Sequence, residues 1–215
     1  MKQIVKRPEP ANLTAYRHVA NSDYDGYRQK DELRNSLVAE QGALCCYCMG
    51  RIEPAWGKMK IEHWRSQEHY ELDRLSYWNL LGGCMGGEGQ PRRKQHCDTH
   101  KGDSDLQYNP ADPAHHVETR ILYLADGTIQ ANDAVFDGQI NNVLNLNLEH
   151  LKNGRKSVLT GVLEWWRTER DRLHKAPSKA RLKQELDQRT GGVGPYHPFC
   201  HVAVWWLQQK LAGMP

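Results

Sequence analysis

The chain has 215 residues and a formal net charge of +3, from 29 Lys and Arg against 26 Asp and Glu. Seven Trp and nine Tyr argue against an intrinsically disordered chain, and no apolar run reaches the roughly 18 residues that a membrane span requires. The N-terminal MKQIVKRPEP lacks the apolar stretch of a secretory signal, so we expect a cytoplasmic protein that does not associate with membranes. In that compartment, clustered cysteines bind metal more often than they form disulfides.

The first two segments differ in composition. Residues 1–44 are predicted to be a leader of loops followed by a helix over 31–42, where apolar residues recur at helical spacing and Gly42 suits the C′ position. Residues 45–110 are rich in Gly, Cys and His, with short apolar runs. We expect this second segment to contain short elements and the functional core.

The remaining segment, 111–215, is predicted to combine a β-hairpin with a largely helical extension. Alternating apolar residues over 118–131 surround Asp126-Gly127, a typical hairpin turn. Helical periodicity then covers 149–188, with an interruption near Pro177, and a short apolar helix ends the chain. The pattern of all three segments predicts an α+β protein.

Charge is distributed unevenly along the chain. Residues 102–150 contain one basic and eight acidic residues (−7), whereas residues 151–190 contain eleven basic and five acidic residues (+6). We therefore expect any affinity for a polyanion to be local. The acidic block is better suited to a structural role or to contact with a partner protein.

Four cysteines have spacing that indicates one metal site. Cys45 and Cys48 form a C-x-x-C step, Cys84 follows a Gly-Gly turn, and Cys97 precedes a predicted helix. Cys84 and Cys97 are not a compact C-x-x-C step, but together the four cysteines supply the thiolates of a tetrahedral structural Zn²⁺ site. The alternative is four reduced, packed thiols. Cys46 is expected to face away from the site, and the distant Cys200 is expected to lie in the core.

A second group of polar residues lies between and after these cysteines, in the motifs KIEHW, SYWNLL and HCDTHKG. Hydrolysis of a phosphodiester needs an activated water and neutralisation of charge on the phosphate. A neutral His can accept the proton of water, carboxylates can hold Mg²⁺ or Mn²⁺, and an Asn can orient the His. One difficulty is that adjacent Glu62 and His63 would point to opposite faces of a strand, unless the strand ends or bulges there.

In their order, Cys-x-Tyr-Cys, Glu-His, Trp-Asn-Leu, Cys and Cys-Asp-x-x-Lys-Gly resemble the motifs of HNH endonucleases with a ββα-metal fold, over residues 45–102. The opening IVKRPEPANLTAYR and the spacer before His-Cys-Asp resemble more specifically the PtuB-type nucleases of Septu and retron-associated antiphage systems. The resemblance implies a zinc-knuckle ββα-metal core.

The resemblance also implies individual roles. His63 would be the general base and Asn79 the residue that orients it, while Glu62 and Asp98 would hold the catalytic divalent metal. Glu62 is one methylene longer than the family's usual Asp, which changes the expected metal geometry. Asp98 places a charged ligand where the family has Asn or His, which favours a hard divalent cation. His100 is a further candidate for a metal ligand or a phosphate contact.

Several cations are candidates for contacts with nucleic acid. Arg65 and Lys101 lie beside the motifs, and Arg92, Arg93 and Lys94 lie in the loop between the last two cysteines. The Arg-Arg-Lys run is equally explained as a solvated turn.

The resemblance implies a PtuA-type ATPase subunit as partner and nucleic acid as substrate, with a retron reverse transcriptase and its RNA/DNA product as further candidate partners. DNA and RNA, including tRNA, both remain open as substrates. One alternative is a zinc-binding module that recognises nucleic acid or protein without catalysis. A thiol or redox enzyme using Cys45 and Cys48 is disfavoured, because no βαβ pattern surrounds them.

Overall fold

The computed structural model describes residues 1–190 and 195–214 and shows a mixed α+β protein. Its helices are α1 Ala11–Arg17, α2 Lys30–Glu40, α3 Cys97–Lys101, α4 Ala134–Gly138, α5 Glu149–Leu173, α6 Lys179–Thr190 and α7 His201–Ala212. Its strands are β1 Lys60–His63, β2 Leu80–Gly83, β3 Ile121–Tyr123 and β4 Ile129–Ala131, which form two antiparallel pairs. The extension predicted over 111–215 includes residues 191–194 and 215, which lie outside the described residues. Among the described helices, none has both the length and the apolarity to cross a bilayer.

The N-terminal segment contains the predicted helix α2 and one helix that the sequence analysis missed. Helix α2 buries Leu33 and Leu37 completely, and Gly42 follows its end at a φ of +61°. The missed helix, α1, begins directly after Pro10, which occupies its N-cap position. Proline is tolerated at the start of a helix, where no amide donor is needed. Leu13 of α1 packs with Leu33 and Leu37 in a small core.

Strands β1 and β2 and helix α3 follow one another along the chain in the order β–β–α. Lys60 pairs with Gly83 and His63 with Leu80, so the two strands are antiparallel over their whole length. Leu80 and Leu81 are fully buried, which anchors β2 in the interior. A loop over 64–79 joins the two strands and contains two short 3₁₀ turns.

The predicted hairpin is confirmed as β3 and β4. Gly127 occupies its turn at a φ of +87°, a conformation that glycine adopts without steric cost. The Gly127 carbonyl accepts a hydrogen bond of 2.6 Å from Nε of Arg155, a buried residue of α5. The turn is therefore held directly against the long helix.

The predicted interruption of the C-terminal helices is also confirmed. Helix α5 ends at Leu173, the next residue His174 adopts a left-handed conformation, and α6 begins after Pro177. Helix α7 packs against both α5 and α6. The rings of Trp166 and Trp206 meet edge to face at 5.6 Å, as expected for aromatic anchors of a core.

Helix α4 and the π-helical turn Gln139–Val143 lie between the predicted hairpin and the predicted long helix, where no element was predicted. Asp133 caps α4 by accepting a hydrogen bond from the Phe136 amide at 2.8 Å, and the Phe136 side chain is fully buried. Five residues are too few to display helical periodicity. Phe136 belongs to the main core, which joins residues of all three predicted segments.

Candidate metal centre and active site

The structure brings Cys45, Cys48, Cys84 and Cys97 together. Their Sγ atoms all lie within 4.8 Å of one another. Cys45 Sγ is 3.8 Å from Cys97 Sγ, and Cys48 Sγ is 3.7 Å from Cys84 Sγ. Four thiolates bound tetrahedrally to zinc, with metal–sulfur bonds of about 2.3 Å, have sulfur atoms about 3.8 Å apart. The cluster therefore has the dimensions of a site for a metal ion such as zinc.

Two tight backbone turns position these thiols. In the first turn the Cys45 amide donates to the Gly50 carbonyl at 2.9 Å, and the Gly50 amide lies 3.3 Å from Cys48 Sγ. In the second the His96 amide donates to the Gly86 carbonyl at 2.9 Å. A Cβ added at Gly86 would lie 2.2 Å from the His96 carbonyl oxygen, so only glycine fits there.

The thiols of the cluster affect one another's ionisation. Burial opposes ionisation of Cys45, but hydrogen bonds from the surrounding thiols outweigh burial and lower its pKa well below the usual value. Nδ1 of His96 lies 3.1 Å from Cys97 Sγ, in position to donate to a thiolate. Burial lowers the pKa of His96, yet interaction with the Cys48 and Cys45 thiolates raises it overall. Cys46, by contrast, is buried outside the cluster, as predicted, and Cys200 is partly buried.

Glu62 is a fully buried carboxylate with one satisfied and one unsatisfied oxygen. Its Oε1 accepts a hydrogen bond of 2.6 Å from the Tyr47 hydroxyl and lies 3.1 Å from Nζ of Lys101. Its Oε2 is buried with no hydrogen-bond partner among the described residues. Burial, followed by the charge of the Asp98 carboxylate, raises the pKa of Glu62 well above its usual value. The unsatisfied oxygen and the second carboxylate suit a divalent cation.

Asp98 lies on α3 and approaches Glu62 above β2. A Cβ added at Gly83 would lie 3.5 Å from the Cβ of Glu62 and 3.8 Å from the Cβ of Asp98, so both acidic residues flank the same glycine. Lys60 also contacts Asp98, with its Nζ 3.5 Å from Oδ2 and 3.0 Å from an oxygen of Glu88. The pair is therefore partly balanced by Lys60 and Lys101.

His63 is buried and is the last residue of β1. The strand therefore ends at the point where the adjacent Glu62 and His63 were expected to need a break in strand geometry. Nε2 of His63 lies 3.0 Å from the carbonyl oxygen of Arg74. A carbonyl can only accept, so Nε2 must carry the hydrogen and Nδ1 the lone pair of the neutral ring. Burial lowers the pKa of His63 to about 4. The ring is therefore neutral near pH 7, the form that can accept a proton.

Asn79 supports His63 less directly than expected. Its Oδ1 accepts a hydrogen bond of 2.7 Å from the Arg65 amide, and its Nδ2 donates to the carbonyls of Arg65 at 3.0 Å and Asp73 at 3.1 Å. These hydrogen bonds hold the end of the 64–79 loop against its beginning and its middle. Since Arg74 follows Asp73, Asn79 fixes the carbonyl that holds the His63 ring and does not bond to the ring itself.

His100 is not part of the acidic pair, contrary to its candidate role as a metal ligand. It lies two residues after Asp98 on α3, about 200° around the helix. Its Nδ1 donates instead to the Val143 carbonyl at 2.9 Å. In the described part of the chain the four cysteines are the only group of three or more Cys, His, Asp or Glu side chains with all ligand atoms so close. Glu62 and Asp98 therefore form a two-carboxylate pair.

Lys101 was expected to contact phosphates, and the structure contradicts this. The residue is only 2% exposed, and its Nζ donates to the His63 carbonyl at 3.0 Å while pairing with Glu62. A buried ammonium engaged in this way cannot reach a backbone phosphate. The other candidate cations, which do lie on the surface, are Arg65, Arg92, Arg93 and Lys94.

Two aromatic residues at the site were not identified as functional candidates from the sequence. Tyr47 is fully buried and donates to Glu62. Tyr24 packs edge-on against the His63 ring, with 4.4 Å between centroids. The role of Tyr47 could have been predicted from its position inside the C-x-x-C turn. Tyr24 offered no such indication, because it lies 39 residues before His63 in an irregular segment.

No protein-family model matches the chain, and a search of curated proteins also finds no match.

Proposed function

We propose that this protein is a metal-dependent endonuclease of the HNH type, which hydrolyses phosphodiester bonds of nucleic acid. The observation that carries the proposal is the pair of carboxylates at Glu62 and Asp98, with one buried oxygen unsatisfied, and the neutral His63 that follows Glu62 in the chain. The order β1, β2 and α3 around a four-cysteine cluster supports it, since it agrees with the ββα-metal architecture that the motifs resemble. Zinc in the cysteine cluster would have a structural role.

Each residue then has a defined task. Nδ1 of His63 accepts the proton of the attacking water, while the Arg74 carbonyl keeps the ring in the required tautomer. Glu62 and Asp98 would hold Mg²⁺ or Mn²⁺, which when bound would supply positive charge for the phosphate and the leaving oxygen. Tyr47 and Lys101 hold Glu62 in place, and Asn79 holds the loop that carries Arg74.

A zinc-binding interaction module without catalysis is the alternative. The contact that favours it is the ion pair between Lys101 and Glu62, because this pair already offsets part of the buried charge without a second metal. The two functions differ in their dependence on divalent ions. A nuclease needs Mg²⁺ or Mn²⁺ in addition to tightly bound zinc, whereas a binding module does not respond to either.

The substitution His63→Ala tests the assignment of the general base. Cleavage of DNA and RNA substrates in Mg²⁺ or Mn²⁺ is expected to fall by at least about a hundredfold, the usual contribution of general-base catalysis. His69→Ala is the matched control, since His69 is exposed, and should cut like the wild type. Zinc content and melting temperature should stay close to wild type in both variants. Undiminished cleavage by His63→Ala would refute the role of His63.

The antiphage role is supported by the resemblance to PtuB-type nucleases. We propose a PtuA-type ATPase as the partner, with nucleic acid as the substrate and a retron product as a further component in some systems. Co-expression with a PtuA-type ATPase should yield a complex that survives size-exclusion chromatography. Cleavage by that complex, with and without ATP, tests whether the ATPase controls the nuclease.

A further inference from the structure

Helix α2 presents two cations on the side of the site where His63 lies. Lys30 and Arg34 are four residues apart, so their side chains share one face of the helix. Nζ of Lys30 lies 4.2 Å from the centre of the Tyr24 ring, and this ring packs against His63. Tyr24 therefore connects the cationic face of α2 to the residue proposed to activate water.

Arg34 has a donor that the protein does not use. Its side chain is 9% exposed, and Nη1 donates to Oδ1 of Asp31 at 2.6 Å. Its Nε is buried with no hydrogen-bond partner in the described part of the chain. Asp31 is 82% exposed and belongs to the same helix, so it offsets only part of the charge. Nη2 of Arg34 also has no hydrogen-bond partner among the described residues but is not fully buried, so its N–H groups can reach an anionic oxygen from the surface.

An exposed aromatic ring lies beside Arg34. Trp56 is 86% exposed, and its ring centre is 5.7 Å from Cζ of Arg34. Cations that follow a backbone, next to an exposed ring on which a base stacks, are typical of sites for single-stranded nucleic acid. A duplex keeps its bases stacked on each other and offers no base face to a single tryptophan.

We propose that Lys30, Arg34 and Trp56 form the substrate-binding surface of this site and that it accepts a single-stranded segment of nucleic acid. Lys30 and Arg34 contact backbone phosphates, and an unpaired base stacks on Trp56. This inference rests on the proposed nuclease function and specifies its substrate class.

Binding measurements in the His63→Ala protein test the surface without cleavage. Fluorescence anisotropy is recorded with labelled single-stranded DNA, single-stranded RNA and duplex oligonucleotides over a range of salt concentrations. The single strands should bind more tightly than the duplex. Adding Trp56→Ala should raise the Kd for single strands about tenfold, as expected when one base no longer stacks on an aromatic ring, and Trp56→Phe should restore most of the affinity.

Adding Arg34→Gln or Lys30→Gln should reduce the dependence of log Kd on log salt by about 0.7 for each phosphate that the protein no longer neutralises. Two further variants are matched controls, namely Arg167→Gln on the exposed side of α5 and Trp78→Ala, whose ring is 61% exposed. Both should bind as tightly as the His63→Ala parent. Melting temperatures and zinc content identify any variant that is merely misfolded, and if Arg34→Gln is one of them, Lys30→Gln alone tests the salt dependence.

Three results would contradict the proposed substrate-binding surface: no binding of single strands, tighter binding of duplex, or equal losses of affinity in Trp56→Ala and Trp78→Ala. Cleavage by proteins that retain His63 separates this inference from the proposed function. If the wild type cleaves nucleic acid and Trp56→Ala and Arg34→Gln cleave equally well, the surface is wrong and the nuclease assignment stands. If the wild type cleaves nothing in Mg²⁺ or Mn²⁺ but the binding differences are observed, the nuclease assignment fails and the surface stands.

Discussion

Buried charge dominates the chemistry of the site at the level of single residues. Glu62 and Lys101 are 0% and 2% exposed and form an ion pair of 3.1 Å. Removing both charges from water costs several kcal/mol each, and the pair recovers this cost only because Tyr47 and the His63 carbonyl complete the hydrogen bonding. Oε2 of Glu62 is the exception, since it has no partner among the described residues. The pKa of Glu62 is also raised by burial and by the Asp98 charge, and carboxyl groups with such shifts are concentrated at functional sites.

The substitution Lys101→Met should lower the free energy of unfolding by about 3 kcal/mol, because it leaves the Glu62 carboxylate buried without its counter-ion. Urea denaturation followed by circular dichroism measures the change. The double substitution Glu62→Gln and Lys101→Met should be more stable than Lys101→Met alone, since it removes the uncompensated charge. A double variant whose destabilisation equals the sum of both single effects would show that the two residues do not interact.

At the level of elements, short strands and helices depend on turns that tolerate only one residue type. The hairpin of β3 and β4 turns at Gly127, where an added Cβ would lie 2.0 Å from the Lys152 carbonyl oxygen. The same turn binds Arg155 of α5, so its geometry determines how the hairpin sits on the long helix. Three-residue strands have little stability by themselves, and packing against α5 supplies it.

Gly127→Ala is therefore predicted to lower the free energy of unfolding by about 3 kcal/mol or more, because the alanine adds both backbone strain and a clash. Gly89→Ala is the matched control. Gly89 has a similar φ of +78°, but nothing lies within 4 Å of an added Cβ. It should cost only about 1 kcal/mol, the strain of the backbone alone. Similar destabilisation in both variants would mean that the clash with Lys152 relaxes.

Across the whole molecule, the cysteine cluster joins distant parts of the chain. Its ligands come from the turn before β1, from the end of β2 and from the start of α3, and the Cys97 amide also donates to the Leu144 carbonyl at 2.9 Å. Three of the four cysteines belong to the main core, and Cys84 packs against it. A metal ion bound by all four thiolates would therefore stabilise the fold as well as the local turns.

The purified protein is predicted to contain about one zinc per chain, by the stoichiometry of a four-thiolate site. Cys84→Ser should lower both the zinc content, measured by mass spectrometry of the metal, and the melting temperature. Cys46→Ala and Cys200→Ala are the controls and should retain zinc, since neither side chain belongs to the cluster. Full zinc occupancy in Cys84→Ser would exclude Cys84 as an essential ligand.

Local sequence patterns were sufficient to predict many elements of this protein. The C-x-x-C step and the two later cysteines predicted a cluster that the structure brings together. Helical periodicity predicted α2 and α5, and Asp126-Gly127 predicted the hairpin turn. These features depend on residues close in sequence or on the strong demands of metal ligands, so a single sequence contains their signal.

Long-range packing determined the rest. The burial of Lys101 against Glu62, the bond from Asn79 to Arg65 across the 64–79 loop and the approach of Tyr24 to His63 join residues 14 to 39 positions apart. No local periodicity contains such contacts, because they arise only when the strands, loop and α2 meet. Residue types and their order therefore indicated the kind of chemistry. Only the tertiary structure determines which charges are buried, which are paired with an opposite charge and which can contact a substrate.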